Sequence, residues 1–111
     1  MTQQLPGPVQ AAIDAANAGD IETFLGLFGA TGSVDDWGRT FTGPAAIRSW
    51  SDAEFIGKQV TLAVESAETA ADGAVTVLAA LAAVGGNGFN GASHFTFRLN
   101  GGALASMAIR A

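Results

Sequence analysis

Few side chains in this sequence can transfer a proton. Among 111 residues there is no Cys and no Tyr, and His94 is the one histidine. Asp36 is one candidate, because successive strand residues face opposite sides, and Val34 and Asp36 point inward if Asp35 and Trp37 point outward. A carboxyl group that faces an apolar pocket is harder to ionise, which makes it a better proton carrier near neutral pH. The alternative is that Asp35 and Asp36 form the polar shoulder of a hairpin.

His94 is the second candidate acid or base, because the unperturbed pKa of histidine lies near neutrality. In simple alternation it lies on the face opposite Ser93, Phe95 and Phe97. If those three residues face a pocket, His94 lies on the outside of the sheet as an interface residue. A bulge beside Gly91 would invert that register.

The composition limits the chemistry further. A chain without cysteine has no disulfides, no thiolate zinc site and no cysteine nucleophile. One histidine and scattered carboxylates give no metal-ligand cluster, and we expect no cofactor. The glycine-rich run Gly85–Gly88 is too loose for a phosphate-binding loop and precedes a strand, so we interpret the Gly85–Gly91 segment as a flexible turn.

Length and charge bound the class of protein. The 111 residues fit one domain, residues 1–111, since domains most often run to roughly 100–150 residues. A content of 49% hydrophobic and 14% charged residues indicates a sizeable core. The net charge of -5 disfavours nucleic acid and anionic lipid as partners, because like charges repel. These limits favour an apolar small molecule as the ligand.

No segment is typical of a membrane or secreted protein. The longest apolar run, Ala74–Val84, is far shorter than the roughly 20 residues that a membrane helix needs. Residues 1–8 lack the basic start and the long apolar stretch of a secretory signal. The sequence therefore predicts a cytoplasmic protein.

Hydrophobic periodicity and turn residues divide the chain into helices first and strands afterwards. The first half predicts a helix from Pro8 to Gly19, a helix from Ile21 to Phe28, a hairpin of Ser33–Trp37 with Arg39–Thr42, and a helix from Pro44 to about Ile56. The second half predicts strands at Val60–Val64, Ala74–Val84, Ala92–Leu99 and Ala103–Arg110. The pattern predicts an α+β fold in which three N-terminal helices cover one face of a curved antiparallel sheet.

The predicted strand Ala74–Val84 is apolar on both of its faces. An antiparallel sheet with one face in water alternates apolar and polar residues instead. We therefore expect the helices to cover one face and a second copy of the chain to cover the other in a two-fold homodimer. The alternative is that these small residues line an exposed sheet in an alanine-rich protein.

Several segments in order along the chain carry a family resemblance. They are Ala15–Asp20, Phe24–Phe28, Ser33–Asp36, Gly43–Trp50, Ser93–Phe97 and Ser106–Met107. Together they resemble the nuclear transport factor 2-like (NTF2-like) superfamily, and within it the ketosteroid isomerase-like and SnoaL-like polyketide cyclase branch. The resemblance covers nearly the whole chain. It implies a cone-shaped α+β barrel, three N-terminal helices on a strongly curved antiparallel sheet, a deep apolar pocket and frequent homodimers through the convex sheet face.

The resemblance also implies a catalytic residue and shows what is missing around it. In the isomerase-like branch the general base is an Asp on the first strand, which matches Asp36. The oxyanion donors of that branch are a tyrosine on the first helix and a protonated aspartic acid on a later strand, and the matching positions here are Ala12 and Ser93. Losing one such donor costs about 2.7–4 kcal/mol of transition-state stabilisation. Ser93 can restore only one neutral hydrogen bond. Because both family donors are missing, ketosteroid isomerisation itself is not expected.

Other branches of the superfamily fit no better. Its epoxide hydrolases use an Asp-Arg-Asp network, and the sequence places no obvious second inward Asp and no Arg near Asp36. In SnoaL-like cyclases the acid or base lies on a later strand, near the position of Ser93 and His94 in this sequence.

The expected pocket wall is apolar. Trp50 lies where the family often has a pocket aromatic, and its indole N–H needs a partner if it is buried. Phe28, Phe95 and Met107, with Ser93, complete the predicted substrate-binding set, and Phe55 and Phe97 are further wall candidates.

Two functions stay open. One is an isomerase or cyclase that acts on an apolar carbonyl compound through Asp36; the other is a non-catalytic ligand-binding or dimerisation module that has lost the oxyanion donors.

Overall fold

The predicted α+β class is confirmed. The structure is a computed structural model that describes residues 5–82 and 91–110, with the side chain of Lys58 excepted. Three helices pack on one face of a curved six-stranded sheet. The elements are α1 (Gly7–Ala18), α2 (Ile21–Gly26), β1 (Phe28–Asp36), β2 (Arg39–Thr42), α3 (Pro44–Glu54), a 3₁₀ turn (Ile56–Lys58), β3 (Thr61–Thr69), β4 (Val75–Ala82), β5 (Gly91–Asn100) and β6 (Ala103–Arg110).

The sheet is mixed, which corrects the prediction of a wholly antiparallel one. Its strand order is β2-β1-β6-β5-β4-β3, and the sheet is open, with β2 and β3 at its edges. The strands β3 to β6 form the predicted antiparallel meander, whereas β1 and β6 run parallel. Alternation within a strand carries no information about which distant strand lies beside it, so the parallel pairing was not predictable from the pattern.

The second helix is shorter than predicted. It ends at Gly26 and not at Phe28, which is the first residue of β1. The Leu104 N–H donates to the Leu27 carbonyl oxygen at 2.8 Å, and Phe28 pairs with Leu104 in the sheet. The helix therefore ends where the chain begins to pair with the backbone of the final strand, β6.

The third helix also ends early, at Glu54, and the 3₁₀ turn Ile56–Lys58 follows it. A Cβ atom at Gly57 would lie 1.7 Å from the Asp52 carbonyl oxygen, so only glycine fits where the chain turns back. The strand predicted as Ala74–Val84 is described as far as Ala82, and its last two residues lie outside the described chain, as does the predicted turn apart from Gly91.

The two faces of the sheet differ in burial. The inner face, against the helices, carries the core residues Val34, Val75, Val77, Phe95, Phe97 and Met107, each at most 2% exposed. The opposite face, called the outer face, carries Thr76, Leu78, Ala80, Ala92, His94, Thr96, Ala108 and Arg110. On β4 the outer residues Thr76, Leu78 and Ala80 are half-buried. No helix in residues 5–82 and 91–110 has the length and apolar character needed to cross a bilayer.

The parallel β1–β6 pair is joined on the outer face by an ion pair. Arg110 donates to both carboxylate oxygens of Asp35, at 3.1 Å and 3.0 Å, and the Gly38 N–H donates to Oδ1 at 2.7 Å. The Arg110 guanidinium and then the Gly38 N–H lower the pKa of Asp35 below its ordinary value. The carboxylate form of Asp35 is therefore favoured by folding.

We expect this pair to make part of the stability depend on pH. Because the pKa of Asp35 is lower in the folded chain, its contribution is present above the unfolded pKa of about 3.9 and is lost as the pH falls through the folded value. Arg110→Gln should therefore lose less stability than the wild type between about pH 6 and about pH 2.5, as measured by urea unfolding.

Arg98→Gln is the matched control for Arg110→Gln. Arg98 pairs with Asp72, and the largest cause of the lowered pKa of Asp72 is the hydrogen bond from the Ala74 N–H. Arg98→Gln leaves that hydrogen bond in place. Parallel pH curves for Arg110→Gln and the wild type would show that the Arg110 contact does not stabilise the fold.

Candidate functional site

Asp36 lies at the end of β1 and faces the helices. Val34, two residues earlier, is fully buried, and the Asp36 side chain is 14% exposed. Asp35 points the other way, toward Arg110 on the outer face. The alternation predicted from the sequence therefore has the correct phase, and Asp36 is the inward carboxylate.

Trp50 supplies the first contact to Asp36. Its indole N–H donates to Asp36 Oδ2 at 3.0 Å, and the ring is only 3% exposed. This is the partner that a buried indole requires. From α3 the ring stacks on Phe55, with centroids 5.0 Å apart, and lies 6.1 Å from the ring of Phe41.

Arg39 supplies the second contact, which corrects the expectation that no arginine lies near Asp36. Its Nη2 donates to Asp36 Oδ2 at 2.6 Å, and its two terminal nitrogens donate to Glu54 at 2.9 Å and 2.6 Å. The guanidinium carbon also lies 5.7 Å from the centroid of the Phe41 ring. The hydrogen bond to Glu54 is the largest of the contributions that raise the pKa of Arg39, so the side chain stays charged.

Part of this network was within reach of sequence reasoning. A hairpin with the two-residue loop Trp37–Gly38 makes Asp36 and Arg39 direct partners across the strands, as they are in the sheet. No local pattern pointed to Glu54, because it arrives from the end of α3.

The predicted wall residues lie in one aromatic layer. Phe24 connects Phe28 and Phe55, with ring centroids 5.3 Å and 5.7 Å away, and Phe55 lies 6.4 Å from Phe95. With Trp50 stacked on Phe55, the structure brings together four predicted wall residues, Trp50, Phe28, Phe55 and Phe95, and adds Phe24, which was not predicted. Phe24 was missed as a wall residue because its helical periodicity alone marks it as core.

Met107 joins the same inner face from β6. It pairs with Val34 on one side and with Phe97 on the other, and it is 1% exposed. The inner face is thus continuous and apolar across the three central strands.

Besides Asp36, Ser93 is a polar residue on that face. It is fully buried, and its Oγ is the one buried side-chain oxygen or nitrogen without a hydrogen-bond partner in the described chain. Asp36 pairs with Ile109, which pairs with Phe95, two residues from Ser93. Two strand spacings and two residues of rise separate the Cα atoms of Asp36 and Ser93 by roughly 12 Å.

His94 lies on the outer face, so its side chain is on the opposite side of the sheet from that of Ser93. It is exposed and lines an open cleft of about 430 Å³ with Ser66, Glu68, Thr76 and Leu78. The register shift of β5 against β6 falls between Arg98 and Leu99, so the alternation near Gly91 is not inverted. Residues 5–82 and 91–110 contain no group of three His, Cys, Asp or Glu side chains that could hold a metal ion.

Comparison with known proteins gives the fold its name. No family model matches the sequence, and no curated protein matches it. Solved structures do match. A candidate polyketide cyclase from Sinorhizobium meliloti is 22% identical, with a TM-score of 0.84 over 96% of this chain and 95% of that one. An NTF2-like protein of unknown function from Cytophaga hutchinsonii is 15% identical, with a TM-score of 0.76 over 99% of this chain and 93% of that one. This chain has the NTF2-like fold.

A third match carries a ligand. A Mycobacterium tuberculosis protein in complex with estradiol-17β-hemisuccinate is 19% identical, with a TM-score of 0.83 over 97% of this chain and 95% of that one. Structures of cystatin and ketosteroid isomerase-like folds match as well. The fold expected from the family resemblance is therefore confirmed, and at these identities the likeness concerns the fold alone.

Within the NTF2-like fold, the inner face offers little for stabilising an oxyanion. Ala12, at the position of the isomerase tyrosine in the resemblance, is buried and presents only a methyl group. Ser93 is the remaining neutral donor at a matched position.

The unpaired hydroxyl of Ser93 leads to a stability prediction. Replacing an unsatisfied buried hydroxyl by a methyl group removes a desolvation penalty, so Ser93→Ala should raise the free energy of unfolding of the ligand-free protein by up to about 1 kcal/mol. Ser51→Ala is the matched control, because Ser51 is equally buried but its Oγ accepts from the Ile56 N–H at 3.3 Å. That variant should be destabilised by about 1 kcal/mol. Equal losses in urea unfolding would mean that Ser93 has a partner after all.

Proposed function

We propose that this protein binds an apolar small molecule against the inner face of the sheet and that Asp36 accepts a proton beside a carbonyl group of that ligand. The observation that carries the proposal is the Ser93 hydroxyl, which is fully buried and unpaired on an otherwise apolar face. The estradiol hemisuccinate complex of the Mycobacterium tuberculosis protein supports the same ligand class.

Ser93 suits a ligand with one polar group at its end, and because Ser93 is fully buried, such a ligand reaches it only when the helices move away from the sheet. A buried hydroxyl without a partner costs free energy, and a ligand carbonyl or hydroxyl oxygen that accepts its proton recovers that energy. The roughly 12 Å between the Cα atoms of Ser93 and Asp36 favours an elongated or polycyclic ligand, because a small ketone would not reach both groups.

Asp36 suits the role of proton acceptor because, within residues 5–82 and 91–110, its hydrogen bonds are both made at one oxygen. Trp50 and Arg39 both donate to Oδ2. A general base must lie within hydrogen-bond reach of the proton that it removes, and the free oxygen, Oδ1, is the atom that would do so. Because Ser93 lies roughly 12 Å away and would bind the far end of the ligand, it does not stabilise the enolate that forms beside Asp36, and we expect slow turnover.

A rigid bicyclic ketone tests the catalytic role. We expect the protein to accelerate exchange of the α protons of trans-decalone for deuterium, followed by NMR, and Asp36→Asn to reduce the rate by about 100-fold or more. Binding of the ketone should persist in Asp36→Asn. Equal exchange rates for the two proteins would refute the role of Asp36.

The second candidate function is binding without catalysis. It is favoured by the hydrogen bonds that Trp50 and Arg39 donate to Asp36, because a carboxylate with a purely structural role would accept the same bonds. In that case estradiol hemisuccinate or anilinonaphthalene sulfonate binds, Ser93→Ala weakens binding, and no exchange of decalone protons occurs.

We further propose that two copies associate through the outer face. The half-buried Leu78 and Ala80 lie at its centre, with no helix of the described residues above them, and the charged groups Glu68 and Arg98 lie to either side. A two-fold pairing places such groups of opposite sign near one another while burying the apolar centre.

Light scattering at micromolar concentration measures this association. We expect the wild type at twice the monomer mass and Leu78→Lys at the monomer mass, because a lysine in the apolar centre is desolvated without a partner. Val64→Lys is the matched control, since Val64 is an exposed apolar residue that pairs with Ala79 on the inner-face side of β4. A monomeric wild type would exclude the homodimer.

A further inference from the structure

We propose that Arg39 is a positioning residue for Asp36 and that Glu54 acts through Arg39 to hold it in place. This inference rests on the proposed function of Asp36 and extends the site by two residues, contributed by β2 and by the end of α3. The three side chains form a chain of contacts in which Arg39 Nη2 lies 2.6 Å from both Asp36 Oδ2 and Glu54 Oε1.

Two donors hold the Asp36 carboxylate from different directions. Trp50 reaches Oδ2 from α3 and Arg39 reaches the same oxygen from β2. Two donors from different elements on one oxygen fix the rotation of the carboxylate, since turning it would break both hydrogen bonds. The position of Oδ1, the oxygen left to the ligand, is thereby fixed as well.

Glu54 restrains the Arg39 side chain. The Arg39 side chain is 53% exposed, and a single contact to Asp36 would leave its long side chain free to turn into water. Glu54 receives one hydrogen bond from each terminal nitrogen, at 2.9 Å and 2.6 Å, which is the paired geometry that a planar guanidinium makes with a carboxylate. Glu54 thus selects the orientation in which Arg39 also reaches Asp36.

Burial of Asp36 distinguishes the Arg39–Asp36 contact from the other ion pairs of the described residues. The other pairs, Arg39–Glu54 among them, join side chains that are each at least 35% exposed, whereas Asp36 is 14% exposed. Exposed pairs of that kind contribute little. The Asp36 contact joins a guanidinium to a carboxylate that is also tied to a buried indole, so a change at Arg39 is transmitted to Trp50.

The indole proton of Trp50 gives a readout that needs no ligand. The protein has two tryptophans, and Trp37→Phe identifies which indole resonance in a ¹⁵N–¹H spectrum belongs to Trp50. We expect Arg39→Lys and Glu54→Gln each to shift that resonance and to speed its exchange with solvent by about fivefold, the effect of weakening one hydrogen bond. Glu22→Gln, which removes the charge from the exposed Arg48 pair, is the matched control and should leave the resonance unchanged.

The same variants are then compared in decalone exchange. We expect kcat to fall about fivefold in Glu54→Gln with KM nearly unchanged, because the base is misplaced while the ligand site is intact. Arg39→Lys retains the charge but not the paired geometry, so it should behave like Glu54→Gln.

The outcomes separate the two proposals. A Trp50 resonance that is unchanged in both Arg39→Lys and Glu54→Gln would overturn the positioning role, whether or not decalone exchange occurs. A Trp50 resonance that moves in these variants, with Glu22→Gln silent, supports it even if Asp36→Asn shows that the proposed proton transfer is wrong. A fall in stability alone, with the Trp50 resonance in its wild-type place, counts against it.

Discussion

The parallel pairing of β1 with β6 is the constraint on which the rest of the structure depends. It places the first strand beside the last one inside the sheet, and α2 ends at Gly26 because Phe28 pairs with β6 as a strand residue. Through Ile109 it also sets Asp36 in line with Phe95 on β5. One long-range pairing therefore decides which residues of β1 and β5 share the inner face.

The inner face is built with few polar groups, and each of them has a distinct relation to its surroundings. Asp36 satisfies the buried indole of Trp50 and is in turn held by Arg39, whereas Ser93 has no partner in the described chain. A buried polar group without a partner is costly in a native protein and calls for a physical explanation. We propose that a ligand group accepts the Ser93 proton. Asp36 needs no ligand to lie at the inner face, because its carboxylate already accepts hydrogen bonds from Trp50 and Arg39.

Some residues of the site were predictable from the sequence, and others were not. The phase of β1 was predictable, because Val34 and Asp36 alternate with Asp35 and Trp37 over a short strand with a clear turn. Arg39 was predictable from the same two-residue turn and was overlooked. Glu54 was not, since its contact to Arg39 joins residues 15 positions apart across two elements.

The sequence by itself determined the local structure of this protein: helices from apolar spacing, turns from glycine and asparagine, and the face of each strand from alternation. These properties depend on neighbours within a few residues, so the local sequence pattern predicts them. The tertiary structure alone decided that β1 runs parallel to β6, that the Ser93 hydroxyl is left unpaired, and that Arg39 joins Asp36 to Glu54. Each of these depends on groups that only the packing of distant segments brings within hydrogen-bond distance.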